Sequence, residues 1–175
     1  MRRSYVAIFL IILLLITHNL VYITNWNLLL SALCWILPSE IGDEIGLTAV
    51  VFIQTWTFAI GITVITATDS ELMDNACKDV GCPAAWIMNA LIHYLPPILL
   101  TKYIHSTQRP LLRDPIRLLA AWVFTVTVFV TYAVYMDPQS RYNIPMSSRT
   151  FVSWMTTFAA LFLLLLQRVA GNLLK

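Results

Sequence analysis

Charge is what this sequence has least of: 11% of its residues are Asp, Glu, Lys or Arg, 59% are hydrophobic, and the net charge is +2. That balance excludes a nucleic-acid binder, because no basic cluster builds the electrostatic footprint such a protein needs. The signatures of familiar soluble enzymes are missing too. There is no serine-hydrolase motif, no phosphate loop and no zinc signature. Cysteine and histidine are scarce, with three of each. The apolar runs lack amphipathic alternation, which excludes the short alternating strands of a membrane β-barrel. No internal repeat or low-complexity linker divides the chain, and 175 residues leave no room for a soluble domain beside the apolar segments.

What is present is a series of long apolar runs, with a mean hydropathy of +0.75. Such runs read as bilayer spans. The expected fold class is all-α, a polytopic transmembrane helical bundle forming one domain over 1–175. Six segments can be drawn: 4–19, 23–38, 45–68, 84–104, 116–136 and 150–168. The first two are short and nearly continuous, so a five-span arrangement with one bent helix competes. As a single helix, 4–38 would be roughly 50 Å long, too long for a ~30 Å hydrocarbon core.

Charge placement separates the two arrangements. With six spans and the N-terminus inside, Arg2, Arg3, Lys102, Arg109, Arg113, Arg117, Arg168 and Lys175 face inward, and Lys78, Arg141 and Arg149 face outward. The positive-inside rule asks for that bias. Five spans would erase it, so six spans with both termini cytoplasmic are preferred. The first apolar run could be mistaken for a signal peptide. No small-residue cleavage pattern follows it, where Thr17-His18-Asn19-Leu20 stands, and an uncleaved span is expected.

The loop Asp69 to Pro83 then lies outside and contains Cys77 and Cys82. In an exoplasmic compartment the two could form a local disulfide; two free thiols are the equal alternative. No metal site is expected, since two cysteines without a nearby histidine fall short of a ligand set. Cys34 reads as packing. Pro96-Pro97 should kink the fourth span and free carbonyls about one turn earlier, and those carbonyls must find donors inside the protein.

The chemistry-bearing residues are the polar ones inside apolar runs. Tyr22-Ile23-Thr24-Asn25-Trp26 separates the first two runs, and His93 sits deep in the fourth. An imidazole in hydrocarbon is expensive and marks a site with a partner. His93 lies nine residues into its segment, about 13 Å from the outer end. Asn89 is one helical turn back and could orient the ring. Thr24 opens the second segment. Because the first span is short, the turn before Thr24 would lie some 6 Å below the outer surface, towards the depth of His93. The plainer reading is that Thr24 caps the second helix. For His93 it is a single helix–helix hydrogen bond. His18 paired with His93 could ligate haem, but one such pair is a thin basis, and no cofactor is expected. His105 falls in the inner basic loop. Asp69 and Asp137 flank outer span ends, so no row of charges marks an ion pathway.

Three elements in order carry a family resemblance: Tyr22-Ile23-Thr24-Asn25-Trp26-Asn27-Leu28-Leu29-Leu30 opening a span, Trp86-Ile87-Met88-Asn89-Ala90-Leu91-Ile92-His93-Tyr94-Leu95-Pro96-Pro97 in a later one, and Tyr135-Met136-Asp137-Pro138 to Tyr142-Asn143-Ile144-Pro145 before the last. The series resembles the androgen-induced/FAR-17a-like membrane proteins and their rolling-stone-type relatives, over most of the chain but in short, degenerate motifs. The resemblance implies a multi-pass threonine hydrolase of lipid esters, notably of fatty acid esters of hydroxy fatty acids, with Thr24 as nucleophile and His93 as base. Membrane lipid and a lipid-ester substrate are then the expected partners. Asn89 and Asn25 are added here as supporting residues, for orientation or an oxyanion contact. Two departures stand out: the first loop is almost absent, and Lys102 occupies a place where relatives often carry acidic residues. Rolling-stone-type relatives also allow a non-catalytic membrane protein with an adaptor or fusion-related role.

Overall fold

A computed structural model describes residues 3–17, 23–44, 46–68, 71–107, 115–136, 149 and 151–157. Every element among them is helical, with no strand. In chain order these are α1 (Arg3–Thr17), α2 (Ile23–Ile36), α3 (Ser39–Glu44), α4 (Leu47–Thr68), α5 (Glu71–Val80), α6 (Cys82–Asn89), a π-helical turn (Ala90–Tyr94), α7 (Leu95–Ser106) and α8 (Pro115–Met136). A further helical stretch, α9, covers 151–157.

α4 is the central element. It runs 22 residues and packs against α2, α3, α7, the π turn and α8. Because it is surrounded, it has no polar face: Ala49, Val51, Phe52 and Ile53 are buried, and so are Thr48, Gln54, Thr55 and Thr57. Its threonines survive in the core by back-bonding to their own helix. Thr57 donates to the Ile53 carbonyl at 2.7 Å, and Thr55 to that of Phe52 at 3.2 Å. Two hydrogen bonds set the register of α4 on the helix that follows. Trp56 Nε1 donates to Thr101 Oγ1 at 3.0 Å, and the Thr63 and Tyr94 hydroxyls meet at 2.8 Å. Equal steps in opposite directions along the two helices make the pair antiparallel and in register.

α1 and α2 form an antiparallel hairpin, and the end at which α1 starts and α2 finishes is closed by one side chain. The Arg3 guanidinium donates to the carbonyls of Cys34 at 2.7 Å, Leu37 at 2.6 Å and Trp35 at 3.5 Å, and to the Tyr103 hydroxyl at 2.8 Å. It also lies 5.3 Å from the centre of the Tyr103 ring. Carbonyls at a helix C-terminus have no intrahelical donors, and the helix dipole places negative charge there, so a cation serves both needs. A second cluster gathers where α2, α4, α8 and α9 meet. Phe58 and Phe129 meet edge to face at 5.6 Å, Trp26 and Tyr132 at 5.5 Å, and Tyr132 tilts onto Phe151 at 5.9 Å.

Two backbone positions need glycine. Gly46, between α3 and α4, has φ 74°, and Gly81, between α5 and α6, has φ 85°. Both lie in the left-handed region that side chains disfavour. Gly81 turns the chain inside the Cys77–Cys82 loop, where the two sulfurs are joined as a disulfide.

Several boundaries differ from the sequence reading. The outer segment read as a loop contains helix α5, and the inner acidic loop folds as α3. The fourth apolar segment is longer than expected: α6, the π turn and α7 are continuous from Cys82 to Ser106, 25 residues. Among the described residues, that helix and Ile116–Met136 are the two long and apolar enough to cross a bilayer, while Arg3–Thr17, Ile23–Ile36 and Leu47–Thr63 are shorter apolar stretches. His18, Asp69, Asp137 and the greater part of the segment at 150–168 lie outside the described residues.

Candidate functional site

The π turn is where sequence chemistry and backbone geometry coincide. Pro96 and Pro97 stand at the start of α7, where proline is tolerated because a first-turn N–H has no helical partner. In a continuous helix, however, their missing N–H groups leave the carbonyls of Ile92 and His93 without donors. The backbone responds just upstream: the Leu95 N–H reaches back to the Ala90 carbonyl, one residue further than in an α-helix. The expected proline kink is thus expressed as one widened turn. Its residues are Ala90, Leu91, Ile92, His93 and Tyr94. Such turns recur at functional sites.

α2 meets the long 82–106 helix at this turn. Thr24 lies in the first turn of α2 and is half-buried, as is His93. Ile23 and Thr24 are both helical, and the described part of α2 starts at Ile23, two residues before the start at Asn25 that a capping Thr24 requires, so Thr24 is not the N-cap. Its hydroxyl therefore does not have to serve the backbone amides of the first turn. Among the described residues, neither the Thr24 hydroxyl, the His93 imidazole nor the Asn89 amide makes a hydrogen bond, and none joins Thr24 to His93. Asn89 closes α6 immediately before the π turn. The wider turn alters the one-turn alignment of Asn89 with His93 that regular α-helical spacing implies. Asn25 is buried, 3% exposed, and engaged with a partner. Cys77 and Cys82 are in the α5–α6 linkage, on different elements from either side chain.

The sequence reading missed a line of buried polar groups continuing from Thr24. Asn27 and Ser31 follow it on α2, 4% and 1% exposed, and Asn27 Oδ1 and Ser31 Oγ have no hydrogen-bond partner among the described residues. The line ends at Cys34, whose thiol sits 3.9 Å from Thr48 Oγ1 on α4. The spacing 24, 27, 31, 34 was the available signal: it is one helical face, and Cys34 shows that this face looks at α4. Gln54 Nε2 and Trp122 Nε1 are likewise buried and without a partner among the described residues. Each such group carries a desolvation cost of about 1–3 kcal/mol. A fold that keeps several of them in its core maintains a polar seam at a stability cost.

Chemically, a hydroxyl and an imidazole on touching elements, neither bonded to another group among the described residues, can act as nucleophile and base once brought within reach. Among the described residues no three His, Cys, Asp or Glu side chains gather in a way that could hold a metal ion. No family model, curated protein or solved structure matches the chain.

Proposed function

We propose that the chain is a six-span integral membrane protein of the endoplasmic reticulum or plasma membrane that hydrolyses lipid esters, with Thr24 as nucleophile and His93 as general base. The observation that carries this reading is the contact of α2, which bears Thr24 in its first turn, with the π turn, which bears His93; neither side chain makes a hydrogen bond among the described residues. The two long apolar helices support the membrane assignment. The resemblance to the androgen-induced family supports the chemistry.

In the first half-reaction His93 accepts the Thr24 proton as Oγ1 attacks the ester carbonyl carbon. The tetrahedral intermediate collapses to a threonyl ester, and the departing alcohol takes the proton from the imidazolium. In the second, a water gives a proton to His93 and its oxygen attacks the acyl carbon. Thr24 leaves as the alcohol, regains the proton, and a fatty acid is released. Asn25 and Asn89 are the amides nearest in sequence that could donate to the oxyanion.

A non-catalytic membrane protein, with an adaptor or fusion-related role on the same fold, is the competing reading. The lack of a Thr24–His93 hydrogen bond favours it. The two part on one experiment: detergent-solubilised protein exposed to a fluorophosphonate probe. The hydrolase reading expects labelling of wild type and a loss of about a hundredfold or more in Thr24→Ala and in His93→Ala, the scale of a general base. Well-folded wild type that takes no label would sink the hydrolase and leave the adaptor.

A further inference from the structure

A groove of about 530 Å³ opens at the end of α7 remote from the π turn, lined by Trp56, Ile98, Thr101, Lys102, His105 and Ser106. We infer that this groove is a binding site for a lipid with an anionic headgroup. The inference rests on the membrane assignment above and is independent of the hydrolase chemistry.

The lining divides into two parts. Its floor is apolar and fixed. The Trp56 indole is pinned through Nε1 to Thr101, whose own hydroxyl is spent on the Pro97 carbonyl at 2.7 Å. Ile98, 52% exposed, lies one turn from Lys102 and extends the apolar strip away from the rim. The rim is cationic and unspent. Lys102 and His105 are both exposed, one helical turn apart, and neither makes a hydrogen bond or ion pair among the described residues. Ser106 is not a competing donor, because its hydroxyl is turned back onto the Tyr103 carbonyl at 2.9 Å. An ammonium with three donors beside an imidazole, above an apolar strip backed by an indole, matches a phosphodiester headgroup with an acyl chain below it. Basic pockets between helices on the inner membrane face take such headgroups. On the charge arrangement above, this end of α7 faces the cytoplasm, where anionic lipids are concentrated. The basic Arg109 and Arg113 follow in the chain.

Trp56 makes the test direct. Full-length protein is placed in phosphatidylcholine nanodiscs containing tail-brominated phosphatidylglycerol or, in parallel, tail-brominated phosphatidylcholine, and indole quenching is read. Wild type is expected to be quenched more strongly by the phosphatidylglycerol probe, and Trp56→Phe to lose that excess. Lys102→Ala should weaken the preference about fivefold, the worth of one lysine at a membrane surface. Lys102→Ala with His105→Ala should bring it level with the phosphatidylcholine probe, while Lys102→Arg keeps it. Equal quenching by the two probes in wild type, or an excess that survives the double variant, overturns the site. An excess abolished by free inorganic phosphate at physiological ionic strength overturns the lipid assignment in favour of a simple anion. Protein that enters no nanodisc and is quenched by neither probe overturns the membrane assignment itself, which fluorophosphonate labelling does not address.

Discussion

Arg3 shows how much one side chain can hold in a chain so poor in charge. Its guanidinium takes the C-terminal carbonyls of α2 and the Tyr103 hydroxyl of α7 at once, so three helices meet on one planar fork. In the sequence it counts only as one more positive charge near the N-terminus. Its carbonyl partners are more than thirty residues away and cannot be seen in a hydropathy pattern. Each hydrogen bond to a charged group is worth about 1.5–3 kcal/mol net when well made, and lysine cannot reproduce the fork. Arg3→Ala is therefore expected to destabilise by about 2 kcal/mol, and Arg3→Lys by most of that amount, read as a fall in thermal midpoint in detergent. A midpoint unchanged in Arg3→Ala would show that the carbonyls at the end of α2 find other donors. Asn27 Oδ1, Ser31 Oγ and Gln54 Nε2 show the opposite economy, buried in the core without a partner among the described residues.

At the scale of elements, the π turn decides what His93 can reach. Pro96 and Pro97 withdraw two donors, the Leu95 N–H shifts back to Ala90, and the turn bearing His93 is wound more loosely than its neighbours. The prolines and the histidine were legible in the sequence, as was the loss of backbone donors. The form of the response was not, because a kink, a bulge and a widened turn satisfy the same carbonyls equally well in one dimension. Thr24 was legible as lying at the opening of a helix, and the plainer reading of it as the cap fails because Ile23 and Thr24 are already helical: a two-residue shift in the helix start separates the two roles, and Ile23 carries no signal for it. Helix α5 was missed for a similar reason, since Glu71–Val80 is rich in charge and reads as a loop between apolar runs. If the widened turn positions His93, replacing both prolines with alanine should return the turn to α-helical bonding and rotate the imidazole away from α2. The expected result is a fluorophosphonate labelling rate reduced about tenfold, with stability changed by about 1 kcal/mol or less, since two backbone donors are regained where some packing is lost. Labelling that persists at the wild-type rate would mean that the π turn is a consequence of the prolines with no bearing on the site.

For the whole molecule, the arrangement of helices turns the charge count into a statement about sides. The apolar segments were drawn from composition alone, and the structure returns helices over each of them that it describes. What composition could not supply was their length: the described parts of α1 and α2 have 15 and 14 residues, short of the about 20 that a perpendicular crossing needs. α1 packs on α2, and α2 packs in turn on the longer α4. The Cys82–Ser106 helix is the most decisive single element, because it is long enough to cross unaided and has exposed lysines placed towards its two ends, one before it in the chain and one within it. Lys78 precedes it on α5 and Lys102 lies in its last turns. If the helix crosses with the inner bias of positive charge, Lys78 faces the exoplasmic side together with the Cys77–Cys82 disulfide, and Lys102 faces the cytoplasm with the groove beside it. A membrane-impermeant amine reagent applied to sealed, right-side-out vesicles should then modify Lys78 and spare Lys102 until the vesicles are permeabilised. Both lysines reacting from outside would place the helix along the membrane surface or in a soluble core, and would remove the physical basis for a lipid-facing Thr24–His93 site. The reverse pattern would keep the crossing but invert it, setting the inner basic residues on the wrong side and leaving the anionic-lipid groove in the leaflet with least anionic lipid to fill it.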